Sequence, residues 1–483
     1  MQSELMQQTA PKTPGALSSR PADAPRVAFY TFGCRLNQSE SASLASAFSH
    51  AGYRVVQDAP AEMAVIQTCS VTETAEADCR RLIRKILRDA PQTFITVTGC
   101  YAQVGVEALR RIPGVDLIVG TEYKMDLPDR VREAVGGGRM TKRIVPLVFH
   151  TPRIGRNDFT VDHYAAFDHA TRPNIKIQDG CDFFCAFCII PYTRGRERSR
   201  TMSDVLLEAS VWAAQGKREI VLTGVNLGNY RSDGCDLVDL IDALSEIPGL
   251  HRIRISSIEP TTVSRRLIDR MAESDGKLCP YLHLPLQSGS NAILSAMGRK
   301  YTREAYVEFV SEAIAVIPHL GLGTDVMVGF PGEGEAEFEE TRKLLQALPF
   351  SYLHVFPFSA RKGTRVTKMA MPPVPAAKIR QRAAILRDLS HRMRRSFYLR
   401  HVGQTVSVLF EQRDAEGRWI GLTPNYIRVG VISDDNRFGQ VDSVHRDRGI
   451  LPMPAASEDP LSGQLRSVVI ESVEAGLAIG RLV

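Results

Sequence analysis

Residues 174–200 read NIKIQDGCDFFCAFCIIPYTRGRERSR, and the order of their parts decides the fold of the chain's central half. NIKIQ (174–178) has the apolar alternation of a short strand, and the glycine at 180 ends it. Cys181, Cys185 and Cys188 then follow as CxxxCxxC. Downstream the strand-then-helix rhythm recurs at EIVLTG (219–224), HRIRISS (251–257), YLHLPLQ (281–287), GLGTDVMVGF (321–330) and YLHVFPFS (352–359). Alternation of this kind builds a parallel sheet, and six βα units are too few to close an eight-stranded barrel. The expectation is a partial (β/α)6 barrel over 167–399. Its first strand delivers three thiols to the C-terminal mouth, where α/β barrels carry their sites.

Three thiols at that spacing point to particular chemistry. A structural zinc site normally takes four ligands in paired CxxC units, and no fourth Cys or His stands at a suitable spacing. Three thiolates on a cubane [4Fe–4S] cluster instead leave one iron without a protein ligand. Such an iron can chelate the amino and carboxylate groups of S-adenosylmethionine (SAM), and an electron from the cluster then splits the sulfonium to give a 5′-deoxyadenosyl radical. Buried structural cysteines are the competing reading.

Upstream, residues 25–138 alternate independently. RVAFYTF (26–32), AVIQT (64–68), TFITVTG (93–99) and VDLIVG (115–120) read as strands between helical segments, and GGG at 136–138 closes the unit. This predicts a doubly wound parallel α/β sheet. Cys34, Cys69 and Cys100 each stand at, or just beyond, the end of a successive strand, where an open sheet forms its ligand crevice. Each alone reads as a packing residue; their shared position suits a second [4Fe–4S] cluster, an auxiliary one, again with an open iron. Cys79, Cys235 and Cys279 share no such position and read as structural.

The rest of the chain sets limits. Residues 1–24 lack an apolar signal region and read as a tail, and 139–166 read as a connector. No stretch approaches the roughly 18 consecutive apolar residues of a membrane span. The expected compartment is therefore the reducing cytoplasm, where nine cysteines, an odd number, are no disulfide framework. Hydrophobic content of 44% and charged content of 24% exclude general disorder and fibrous classes. A net charge of +6 permits a polyanionic partner without demanding one.

TFGCRLNQSE (31–40), QTCSVT (67–72), TGCYAQ (98–103), QDGCDFFCAFCIIPYTRGRERSR (178–200), HLPLQSGS (283–290) and TDVMVGFPGE (324–333) together resemble the radical SAM methylthiotransferases. The likeness runs from about residue 25 to at least 430 and matches both cysteine sets. It implies two [4Fe–4S] clusters, one on Cys34, Cys69 and Cys100 and one on Cys181, Cys185 and Cys188. It implies two molecules of SAM, one methylating a sulfide on the first cluster and the other giving the radical that removes hydrogen from C2 of an adenine. GCRLNQSE is most like the branch that modifies N6-threonylcarbamoyladenosine at tRNA position 37, beside the anticodon (the MtaB type). The isopentenyladenosine branch (MiaB) more often has Gln-Met-Asn after this Cys, and the branch acting on an Asp of ribosomal protein S12 (RimO) has Pro-Lys-Asn. These are the alternatives, and a non-catalytic iron–sulfur RNA-binding protein is a third.

By the same resemblance, Phe187 lies against the SAM adenine, and Thr223, Gly224 and Asn226 in LTGVNLGNY approach its amino-acid end. Ser257, Glu259 and Gln287 complete the cradle; read without the family, these polar residues are strand-end caps or turns. No separate acid–base pair is implied. The implied partners are a tRNA anticodon stem-loop, an electron donor such as flavodoxin or ferredoxin, and a sulfur source, with no membrane. One departure stands out: the family commonly has Asn where this chain has Gln67, which leaves the local hydrogen bonds open.

Several basic and aromatic residues admit two readings. Arg194, Arg196, Arg198 and Arg200 follow the cysteine loop and suit phosphate contacts or structural ion pairs. The helix expected at 376–400 holds eight Lys/Arg against the single Asp388. It also has an apolar stripe of Ile379, Ala383, Ile385, Leu386 and Leu389, so its charge is a solvated face or an RNA track. Short alternating strands from 401 predict a small β-barrel over 400–470, which resembles the RNA-binding TRAM domain. Phe410, Trp419 and Tyr426 suit either stacking on unpaired bases or the barrel core.

Overall fold

The structure is a computed structural model that describes residues 24–56, 61–136, 138, 140–155, 159, 170–273, 276–432 and 461–483. The tail expected at 1–24 lies almost wholly outside the described residues, as does much of the connector. The N-terminal unit is a six-stranded sheet of β1 (Arg26–Thr31), β2 (Arg54–Val56), β3 (Met63–Thr68), β4 (Phe94–Gly99), β5 (Val115–Val119) and β6 (Leu147–Phe149). The order is β2-β1-β3-β4-β5-β6, and every pairing is parallel. Every residue of β3, β4 and β5 is buried, as in a sheet covered on both faces. One face packs Phe29, Leu44, Phe48 and Val131 with α1 (Arg35–His50) and the helix Leu127–Val135. The other packs Ile66, Cys79, Ile83 and Val97 with α2 (Glu73–Asp89). The sheet is doubly wound, and its topology reverses between β1 and β3, where open α/β sheets form their crevice.

Two edge strands were not legible in the sequence. β2 and β6 are three residues each, too short to show alternation, and β6 carries the sheet past the glycine run. Gly136 still does what its type suggests: at φ 64° it ends the preceding helix in the left-handed conformation.

The central unit holds the six expected strands: β7 (Asn174–Lys176), then Glu219–Thr223, Arg252–Ile255, Tyr281–His283, Gly321–Val328 and Tyr352–Pro357. They form two parallel three-stranded sheets, and the bridge between Ile253 and Leu278 joins the two. The result is the partial (β/α)6 barrel. Helices cover its outside over one large apolar core that includes Trp212, Leu240, Tyr306 and Leu386, and α1 of the N-terminal unit packs against β7.

The helix Ala376–Leu399 lies on the last barrel strand through Ala383, Leu386 and Leu389. Of the expected stripe, Ile385 is exposed. Beyond it, strands Thr405–Arg413, Trp419–Leu422, Arg428–Val431, Leu465–Glu474 and Leu477–Leu482 close a five-stranded barrel. Its last two strands extend beyond residue 470, the boundary expected from the sequence. Phe410 and Trp419 are fully buried in its core, so they are not stacking platforms. Arg252 and Arg254 seat the barrel on the central unit, donating to the carbonyls of Ser407 and Pro424 at 2.8 Å each. Among the described residues no helix is long and apolar enough to cross a membrane.

Candidate functional site

The parallel sheet brings Cys34, Cys69 and Cys100 to its C-terminal edge, beside the β1/β3 reversal. Cys34 precedes α1, Cys69 follows β3, and Cys100 opens a short helix straight after β4. The turn at Gly33 is tight: at φ 100°, a Cβ there would lie 2.8 Å from the Cβ of Cys69 and 3.0 Å from its Sγ. Only glycine permits that approach. The Asn37 side chain donates to the carbonyls of Phe32 (2.7 Å) and Thr68 (3.0 Å), tying the two cysteine turns together. Cys34 is the exposed thiol of the three, but the mass of protein around its opening raises its pKa, with Arg194 opposing the rise. Burial pushes Cys69 up to about 12, and Cys100 and Cys34 add to the effect.

Behind these thiols lies a buried ion network that joins the two units. Glu40 of α1 accepts from Lys176 (2.7 Å), Arg194 (3.0 Å), Lys124 (2.7 Å) and the amide of Gln67 (2.8 Å). Asp179 accepts from Lys176 (2.7 Å), Arg194 (3.0 Å) and Arg198 (3.0 Å). Arg194 also donates to the Asn37 side chain at 2.7 Å. Burial alone would raise the Glu40 carboxyl, but Arg194, Lys124 and Lys176 outweigh it and hold it well below the usual carboxylate range. Four cations here face two carboxylates. The positive excess suits an anionic iron–sulfur group held by the neighbouring thiols.

The second set sits on the loop after β7. Cys185 is buried, and Cys181 and Cys188 are half-buried; burial pushes the latter two up to about 11 and 12. Arg299 donates to the Cys185 sulfur at 3.3 Å and pairs with Glu259, so a later barrel loop braces the cysteine loop. Burial raises the Glu259 carboxyl and Arg299 opposes it.

The SAM-cradle candidates converge only in part. Thr223 and Asn226 are both 1% exposed, yet Thr223 Oγ1 and Asn226 Nδ2 have no hydrogen-bond partner among the described residues. Orphaned polar atoms at a strand end fit a polar ligand group. Gly224 is compressed: a Cβ would lie 2.7 Å from Leu227. Gln287 holds φ 66° and bridges to Val326, a strained position for a non-glycine residue. Phe187 packs half-buried against the cluster of Ala186, Ile293 and Phe330. A cavity of about 690 Å³ is lined by Cys34, Thr223, Gly224 and Ser257 and also by Glu411, Leu422, Tyr426 and Arg428 of the terminal barrel.

Some site features are not visible in the sequence. His283, Asp325 and His354 gather on the cavity wall, with Asp325 2.9 Å from His283 and 3.3 Å from His354. Against burial, the two histidines hold Asp325 well below the usual range. Tyr426 enters the cavity rather than facing solvent, at φ 73°, stacked on Tyr281 with centroids 4.6 Å apart. The arginine run is mostly structural. Arg194 and Arg200 are buried in ion pairs, Arg198 is paired with Asp179, and only Arg196 is well exposed, beside Asp182.

Comparison with known proteins agrees with this architecture. Residues 175–345 match the Radical SAM superfamily, and residues 26–120 match Uncharacterized protein family UPF0004. The chain is 38% identical over 406 residues to the threonylcarbamoyladenosine tRNA methylthiotransferase MtaB of Aquifex aeolicus, covering 84% of this chain and 96% of that one. It is 35% identical over 452 residues to the tRNA-2-methylthio-N(6)-dimethylallyladenosine synthase of Cereibacter sphaeroides, covering 92% and 99%. In fold it is similar to the radical SAM methyltransferase TsrM of Kitasatospora setae, with a TM-score of 0.50, 14% identity, and 69% and 73% of the two chains covered. With both cysteine sets at the ends of parallel strands and these relatives spanning most of the chain, the protein belongs to the radical SAM methylthiotransferase family, whose cofactors are SAM and [4Fe–4S] clusters.

Proposed function

We propose that this chain methylthiolates C2 of N6-threonylcarbamoyladenosine at position 37 of tRNA. The observation that carries the reading is a cavity that borders Cys34, the strand-end residues Thr223, Gly224 and Ser257, and the terminal barrel. A base held there lies beside one cysteine of the first set and beside strand ends that are candidates for the SAM cradle. Cys181, Cys185 and Cys188 would hold a cluster that supplies reductive cleavage of SAM, and Cys34, Cys69 and Cys100 would hold one that supplies sulfur to be transferred.

The chain's own residues bind, orient and enclose. Thr223 Oγ1 and Asn226 Nδ2 offer unused polar atoms to the amino-acid end of SAM. Gly224, whose missing Cβ would lie 2.7 Å from Leu227, and Ser257 line the same cavity. Arg299 braces Cys185 and Glu259 from one side. The Glu40 network fixes the two cysteine sets relative to each other and supplies positive charge behind the first. The terminal barrel closes the cavity over the RNA end. An electron donor such as flavodoxin or ferredoxin and a sulfur source complete the cycle, in a reducing cytoplasm that keeps the nine cysteines from forming disulfides.

The threonylcarbamoyl branch is favoured by GCRLNQSE and by the 38% identity to the Aquifex enzyme. The test is anaerobic incubation of the reconstituted protein with SAM, reductant and an anticodon stem-loop carrying the nucleoside. The base should gain one methylthio group in place of one hydrogen. A chain that modifies only the isopentenyl stem-loop would overturn the substrate while sparing the chemistry.

A further inference from the structure

The charges on the cavity wall are unbalanced in a way that the cluster chemistry does not use. Its two carboxylates are already answered: Arg172 donates to Glu411 at 2.9 Å, and Asp325 lies between His283 and His354. Three lining guanidiniums, those of Arg35, Arg394 and Arg428, have no carboxylate partner among the described residues. Arg35 is engaged otherwise, donating to the Tyr426 hydroxyl. Arg394 lies over the Tyr352 ring at 5.9 Å, and its guanidinium makes no hydrogen bond among the described residues. Arg428 donates to the Tyr398 hydroxyl through its backbone N–H, at 3.1 Å, and its guanidinium has no hydrogen-bond partner among the described residues.

Arg394 and Arg428 come from different elements, the end of the long basic helix and the start of a barrel strand, yet they meet around one residue. Both lie close enough to Tyr398 to oppose the rise that burial gives its pKa. Two forked donors lining one cavity match a carboxylate, which guanidinium binds through paired hydrogen bonds.

We propose that Arg394 and Arg428 form the subsite that receives the carboxylate of the substrate's N6 substituent, and so select an acidic side chain on the base. The inference rests on the threonylcarbamoyl reading above. In adenine, C2 and the N6-bearing carbon flank N1 on one edge of the ring. A base with C2 at the reacting wall therefore has its N6 substituent in the same cavity. An isopentenyl chain would leave both guanidiniums unpaired against apolar atoms, and sites built for a polar group reject analogues lacking it strongly. Backbone phosphate is the other anion that the same pair could hold, and it predicts a different result.

The experiment measures binding of the reconstituted holoenzyme to three anticodon stem-loops of one sequence. Position 37 carries threonylcarbamoyladenosine, unmodified adenosine or isopentenyladenosine. The wild type should prefer the acidic nucleoside. Arg394→Met and Arg428→Met should each lower that preference about 10- to 100-fold, while affinity for the unmodified RNA stays within about twofold and so reports an intact fold. Arg394→Lys should fall between. Equal weakening for all three RNAs would make the pair a phosphate contact and overturn the subsite, as would variants that keep the full preference. A wild type that prefers the isopentenyl RNA would instead overturn the substrate reading, and the subsite with it.

Discussion

Replacing Glu40 with Gln tests whether the two cysteine-bearing units are held together by buried charge. The carboxylate is 2% exposed and accepts from Lys124, Lys176, Arg194 and Gln67 at 2.7, 2.7, 3.0 and 2.8 Å. An amide of the same shape keeps the volume but leaves four cations facing Asp179 alone. Breaking a buried pair by removing one partner costs about 3–5 kcal/mol, because the remaining charge is left uncompensated. Lys124 should suffer most, since Glu40 is its ion-pair partner and burial already lowers its pKa. Anaerobic urea denaturation of Glu40→Gln, Lys124→Met and the double variant measures this. The double variant should be at least ~1 kcal/mol more stable than the sum of the singles predicts. A loss below ~1 kcal/mol for Glu40→Gln, or strict additivity, would refute the idea that this network clamps the units.

Glu219 gives a pH signature. Burial would raise its carboxyl, but Arg254, Arg172 and Arg252 hold it at about 2. A depressed carboxyl stabilises the fold above its unfolded value near 4.3, and the contribution is lost as pH falls toward 2. About 3 kcal/mol should therefore disappear across that window, and Glu219→Gln should flatten that part of a pH–stability profile. Trp419→Ala should destabilise the terminal barrel by about 3–5 kcal/mol, seen as early loss of its cooperative melt, since the ring is core and not an RNA platform. Iron analysis after anaerobic reconstitution should find about eight irons per chain. Replacing either Cys34, Cys69 and Cys100 or Cys181, Cys185 and Cys188 by Ala should halve that number, and saturation of the unaltered chain at about four would contradict two clusters.

Much of the architecture was legible because it is local. CxxxCxxC lies within eight residues of one loop, and Cys34, Cys69 and Cys100 are marked by the strands they end. What was hidden depends on distant partners. Glu40 meets residues 136 and 154 positions away, and Arg299 meets a sulfur 114 positions away. No spacing rule joins such residues. The arginine run after the cysteine loop reads equally as phosphate contacts until burial is known, and the buried acids Glu40, Asp179 and Glu208 settle most of it as ion pairing. Gln67, where the resemblance leads one to expect Asn, serves the buried network, because its amide reaches Glu40. The terminal barrel's end was hidden because its last two strands stand apart from the first three in sequence.

Mass spectrometry of tRNA nucleosides from cells with and without this protein decides whether it methylthiolates threonylcarbamoyladenosine. Without the protein, 2-methylthio-N6-threonylcarbamoyladenosine should disappear and its unthiolated precursor accumulate. The protein with Cys34 or Cys181 replaced by Ala should fail to restore the modification. A nucleoside profile unchanged by loss of the protein would contradict that activity.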